Sequence, residues 1–147
     1  MSSTIKDFIT AFSGQDGTPQ TITTDAVSED IIQFASSPQQ IGLKGMLVEF
    51  VVGTAWSGAD SGCSFELRAD TAASLASGSQ VLCGTSGIVP VADLTAGARI
   101  EVHVRPRLLA STFVYFGAFY NLASEAASGG STIFASTKQG GLTDVIS

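Results

Sequence analysis

Two stretches near the centre of the chain alternate strictly between apolar and polar residues. Ser64 to Asp70 reads S-F-E-L-R-A-D and sets Phe65, Leu67 and Ala69 against Glu66, Arg68 and Asp70. Arg99 to Arg105 reads R-I-E-V-H-V-R and sets Ile100, Val102 and Val104 against Arg99, Glu101, His103 and Arg105. A period of two marks a half-buried strand, because successive side chains leave a strand on opposite faces. Each stretch therefore has one dry face and one wet face, the pattern of an antiparallel sheet with a core on one side.

Turn residues divide the rest of the chain in the same way. S-S-P-Q-Q at Ser36 to Gln40, S-G-A-D-S-G at Ser57 to Gly62 and A-S-G-G-S at Ala127 to Ser131 are breaks, since Gly, Pro, Ser and Asp favour turns. Eight strands are predicted between them: Pro19 to Thr24, Glu29 to Phe34, Gly45 to Gly53, Cys63 to Asp70, Gln80 to Thr85, Arg99 to Arg105, Thr112 to Leu122 and Ser131 to Ser136. Eight short strands in 147 residues fit one all-β domain, an eight-stranded jelly-roll β-sandwich, with an immunoglobulin-like sandwich as the main competitor. A chain of this size buries roughly 68–70% of the surface its unfolded form exposes, enough for a core without metal or disulfide. Residues 1–17 read as an N-terminal arm. Within it, Ile5, Phe8, Ile9 and Phe12 share one helical face, so either a short helix or a docked arm is expected. Residues 137–147 read as a polar surface tail.

Charge narrows the partners. Thirteen acidic against seven basic residues give −6, and Lys6, Lys44, Arg68, Arg99, Arg105, Arg107 and Lys138 are scattered, so no nucleic-acid stripe is expected. No apolar stretch approaches the roughly 20 residues that span a bilayer, and M-S-S-T-I-K-D-F has no signal-peptide pattern, so neither a membrane nor export is expected. Cys63 and Cys83 stand on apolar parities of their segments and read as two small buried thiols. A bridge between neighbouring strands stays open at this point.

Catalytic constellations are thin. His103 is the sole histidine and stands on a charged face, which suits neither a hydrolase triad nor a histidine-rich metal site. Glu66, Asp70 and Glu101 could approach across neighbouring strands, but Arg68, Arg99 and Arg105 among them point to a salt-bridged face. G-T-S-G at Gly84 to Gly87 lacks the lysine of a phosphate loop, and Asp60 lacks the further acids of a calcium loop. No cofactor and no enzymatic activity are expected. Trp56, immediately before the Ser57 to Gly62 break, either anchors its own turn or offers a sugar-stacking platform.

Two strands have apolar residues on both faces. In the run from Phe113 to Tyr120, Phe113, Tyr115 and Phe119 take one parity and Val114, Phe116 and Tyr120 the other. Met46 to Val52 repeats this more weakly, with Leu47 and Val51 flanking Glu49 on the outer side. Either chain from elsewhere covers these outer faces or a second subunit does. The oligomer contact is expected at Leu47, Glu49, Val51, Phe113, Tyr115, Phe119 and Tyr120.

The order of segments resembles the cement, or decoration, proteins of tailed double-stranded DNA bacteriophages, in the jelly-roll type typified by the Bordetella-phage cement. The residues that carry the likeness are Asp7-Phe8, Phe12-Ser13-Gly14-Gln15, Asp30-Ile31-Ile32, and Ile41-Gly42-Leu43-Lys44-Gly45 leading into Met46 to Val52. Phe65 to Asp70, the L-T-A-G-A element at Leu94 to Ala98, and the aromatic strand Phe113 to Tyr120 complete it. Relatives tend to carry a leucine-proline step where this chain has Val104-Arg105-Pro106-Arg107, and an R-Y-L-R-L-like strand where it has Phe113-Val114-Tyr115-Phe116.

The resemblance implies a homodimer or homotrimer made in a bacterial cytoplasm. It would bind the outside of an icosahedral head where major capsid protein subunits meet, stabilising the shell by mass action. Ile5, Phe8 and Phe12 of the arm, with Arg105 and Arg107, are the expected capsid contacts, the arginines because guanidinium pairs bidentately with carboxylate. The alternative function is a carbohydrate- or receptor-binding sandwich of a phage particle, with Trp56 as its platform.

Overall fold

The structure is a computed structural model that describes residues 11–33, 39–41, 47–58, 61–105, 107–109, 113–123, 127 and 131–137, by backbone alone at 11, 39–41 and 107–109. The described residues form twelve strands. These are β1 (Ala11–Ser13), β2 (Gln20–Thr21), β3 (Ala26–Val27), β4 (Ile32–Gln33), β5 (Gln39–Ile41), β6 (Leu47–Val52), β7 (Cys63–Asp70), β8 (Val81–Val89), β9 (Arg99–His103), β10 (Arg107–Leu109), β11 (Tyr115–Asn121) and β12 (Thr132–Thr137). A 3-10 turn, Val91–Asp93, follows β8.

Two antiparallel sheets face each other, as the alternating segments predict. The first runs β1-β12-β6-β9, with β2 also paired to β12, and the second runs β3-β11-β7-β8, with β4 also paired to β11. β5 and β10 form a separate two-stranded ladder. With β1/β2 counted as one position and β3/β4 as another, the order is 1-8-3-6 in one sheet and 2-7-4-5 in the other. Each position thus pairs with the one that completes nine, as in a long hairpin rolled up on itself.

The core is aromatic, and its rings join the sheets. Phe50 of β6 lies 5.2 Å from Phe65 of β7 and 5.9 Å from Tyr120 of β11, while Phe12 of β1 meets Phe116 of β11 at 6.1 Å. The Phe50–Tyr120 and Phe65–Tyr120 pairs are edge-on, at 84° and 82°, the arrangement that aligns the positive edge of one ring with the negative face of another. One polar chain crosses this core: Ser13 Oγ donates to Gln20 Oε1 at 2.6 Å and meets the Tyr120 hydroxyl at 2.6 Å. Burial pushes the Tyr120 phenol up, well above its ordinary value, so it stays a neutral donor.

The L-T-A-G-A element closes the end of β6. Val52 N donates to Ala98 O at 2.9 Å, Gly97 N to Val52 O at 2.8 Å and Trp56 N to Leu94 O at 3.0 Å, with Leu94 fully buried. Gly97 takes φ 84° there, a left-handed turn that glycine adopts without a Cβ penalty.

Several expectations change. Of the two expectations for Phe12 the docked arm holds: it lies in strand β1 on β12 with its ring in the core, a correction to its assignment as a capsid contact, while residues 1–10, Ile5 and Phe8 among them, lie outside the described residues. β7 has no wet face, since Arg68 and Asp70 on its polar side are buried with the apolar set. β7 and β9 belong to different sheets, so Glu66 and Asp70 do not share a face with Glu101.

The two cysteines are free and buried. Cys63 pairs with Val89 in the register, six residues along β8 from Cys83. That is about 20 Å of strand, far beyond the reach of a disulfide. Burial also pushes the Cys63 thiol well above its ordinary value, which makes it an inert core residue.

Candidate interaction surface

Over the middle of β11 and β7 the outer face of the second sheet is covered by the chain itself. Gly117 of β11 pairs with Arg68 on this side, and a Cβ at Gly117 would come within 2.7 Å of Ile31 Cγ2. The segment from Ser28 to Ile31 therefore crosses β11 at the one residue without a side chain. Ser28 N donates to Ala118 O at 2.9 Å and Ala118 N to Ser28 Oγ at 3.2 Å, pinning the crossing.

Beside it, the guanidinium of Arg68 stacks 3.7 Å above the Phe119 ring. Arg68 also pairs with Glu66 at 2.7 Å and donates from Nη1 to Leu75 O at 2.8 Å. This last bond ties down the turn after β7, in which Leu75 is fully buried at φ 54°. Asp70 holds the same turn from below, accepting from Thr71 N at 2.6 Å, Ser77 N at 3.0 Å and Ser77 Oγ at 2.5 Å. Burial alone would raise the Asp70 pKa. The hydrogen bonds from Ser77, Thr71 and Ala72 outweigh it and hold the carboxyl below its usual range.

The aromatic strand is thus covered by its own chain. Tyr120 lies in the sandwich core and Phe119 under Arg68, a correction to their assignment as subunit contacts. Tyr115 and Phe113 are half-buried, Phe113 packing against the core cluster.

The outer face of the first sheet is different. Leu47, Glu49 and Val51 of β6 all stay partly exposed there. Val51 is flanked by Phe134 of β12 and Arg99 of β9, Glu49 by Ser136 and Glu101, and Leu47 by His103. Phe134 is half-buried, with Gly14 against its ring. Glu49 and Glu101 stand directly opposite, a like-charge pair offset by Arg99 Nη1 at 2.9 Å from Glu49 Oε1. Three of the expected contacts, Leu47, Glu49 and Val51, therefore share one half-exposed face with Phe134. Nothing in the local sequence singled out Phe134, because its neighbours are known only once β12 is placed beside β6.

β8 contributes a third surface. It ends the second sheet, and its register against β7 slips twice. The slips bring Leu82, Thr85 and Ile88 opposite Arg68, Glu66 and Ser64, all on the outer side. Leu82 is 45% and Ile88 68% exposed, the two large apolar side chains most open to solvent among the described residues. At a corner of the sandwich Arg105 N donates to Cys83 O at 2.8 Å, and a Cβ on Gly84 would lie 2.6 Å from His103 O. The Arg105 side chain is exposed at this corner; Arg107 lies in β10, with its side chain outside the described residues.

Chemical groups do not converge. No cluster of three His, Cys, Asp or Glu suited to a metal occurs among the described residues, and His103 is exposed. An open cleft of about 420 Å³ is lined by Gln15, Asp16, Glu29 and Asp30. Its carboxylates hold local backbone, Glu29 accepting from Gly14 N at 3.0 Å and Asp16 from Thr18 N at 3.0 Å. Trp56 is no platform: it is 4% exposed, its Nε1 donates to Thr132 O at 3.0 Å, and its ring lies 5.8 Å from Phe65. No helix among the described residues is long and apolar enough to cross a membrane.

Fold and surfaces together define an all-β sandwich with a partly exposed apolar row on the outer face of the first sheet and exposed apolar side chains along the outer side of β8. The chain belongs to the Bbp16 family, whose model matches residues 17–134. No curated protein matches it.

Proposed function

We propose that the chain is a structural cement protein of a phage capsid. In this reading it binds the outer surface of an icosahedral head as a homodimer or homotrimer and stabilises contacts between major capsid subunits. One observation carries the reading: the chain covers β11 and β7 on the outer face of its second sheet with its own segments but leaves Leu47, Val51 and Phe134 half-exposed in a row on the first. A clamp needs such a surface and no reaction centre, and many weak contacts joined in one oligomer gain avidity. The family name, which suggests a Bordetella phage protein, supports a phage structural role. The rolled-up strand order supports the jelly-roll form of the sandwich.

Arg105 is the shell contact this reading retains among the described side chains, with Arg107 two residues on. Both would meet carboxylates of the shell protein. The test is re-addition of the purified chain to heads of the source phage stripped of it by mild denaturant. Saturable binding in fixed ratio to the shell protein, reduced in Arg105→Ala/Arg107→Ala, is the expected result. Unsaturable or absent binding refutes the cement reading, and saturable binding indifferent to the double change refutes only the arginine assignment.

A further inference from the structure

We infer that the outer side of β8 is the surface through which two copies of this chain associate, about a two-fold axis that crosses the strand at Thr85. The inference rests on the oligomeric part of the proposed function and names its surface. Leu82 lies three residues before Thr85 and Ile88 three residues after it, both exposed and both on the outer side. An isologous contact requires a patch that is its own complement. A two-fold at Thr85 sets Leu82 of one copy against Ile88 of the other, twice.

Charge argues for a second copy as the occupant. The chain carries −6, so two copies repel each other over most of their surfaces. Residues 71–92 contain no charged residue at all, and the charged neighbours of the stripe in β7, Glu66 and Arg68, are paired with each other at 2.7 Å. Edge strands are ordinarily protected by lysine or other charged residues, or by proline. β8 has none of these from Val81 to Val89. Its edge is instead engaged at Cys83 O by Arg105 N, which leaves the side-chain stripe, rather than a continuous sheet through both copies, to make the contact.

The experiment is sedimentation velocity of the full chain over a concentration series, for wild type, Ile88→Asp and Thr85→Cys. Wild type is expected to sediment as a dimer, with Ile88→Asp raising the dissociation constant by roughly 30-fold or more, as loss of an interface anchor does. Thr85→Cys is expected to cross-link as a dimer under mild oxidation while wild type, its two thiols buried, does not. Thermal melts report whether Ile88→Asp is folded; should it not fold, the Thr85→Cys cross-link decides. A wild-type oligomer unchanged by Ile88→Asp, or an uncross-linked Thr85→Cys, overturns this surface and leaves the cement reading standing. A wild type that is monomeric at every concentration overturns the inference and the oligomeric part of that reading together. Shell binding lost in Ile88→Asp from a monomeric wild type assigns the stripe to the shell protein instead.

Discussion

Asp70 shows how the polar side of a strand becomes structural in this protein. Its carboxylate is fully buried, yet donors from Ser77 and Thr71 hold it ionised and fasten the turn that covers Arg68. Because its folded pKa lies below the ordinary 3.8, the charged form contributes stability above that value. The contribution is lost as pH falls through the folded pKa. Urea midpoints measured at pH 7, near pH 4 and well below it are therefore expected to drop at the acid end, and to drop less in Asp70→Asn. Equal acid sensitivity in the two proteins would count against this role. The sequence showed Asp70 on the polar parity of its strand but not its burial. The covering turn, Thr71 to Ser77, is short and irregular, and its path is set by side-chain bonds to Arg68 and Asp70 together with its own Leu75 N to Ala72 O bond. Trp56 divides in the same way: its place beside a turn was legible, while its partner Thr132, 76 residues away, was not.

At the scale of elements, β7 has the same bounds in the sequence and in the structure, because strict alternation over eight residues specifies both period and face. β8 was read as Gln80 to Thr85 and continues to Val89, since its two register slips interrupt the alternation and Gly87 resembles a turn. The strands expected at Pro19 to Thr24 and Glu29 to Phe34 contain β2 and β4, each shortened to two residues, whereas β3 has no local signal and exists through its partner β11. The aromatic run announced a strand covered on both sides but not what covers it, because Gly117 admits the Ser28 to Ile31 crossing by lacking an atom. Gly84 works likewise at the corner where β9 leaves its sheet. Gly84→Ala forces a Cβ toward His103 O, 2.6 Å away, and is expected to cost about 1–3 kcal/mol, the range for overpacking a tight site. Chemical denaturation measures this, and an unchanged midpoint would mean that the corner yields freely.

For the whole molecule, the two sheets divide the labour. The second covers β11 and β7 on its outer face with its own crossing segment and turn and keeps the uncharged side-chain stripe of β8 exposed; the first keeps a half-exposed apolar row between charged residues. A sandwich arranged in this way is suited to being held between other proteins, which is the central claim of the cement reading. Its most direct test is the protein composition of gradient-purified particles of the source phage, measured before and after mild denaturant. The account predicts this chain in fixed stoichiometry with the major shell protein, and heads that become fragile as it is stripped away. Its absence from the particles, or its presence in only a few copies at the tail, would contradict the account.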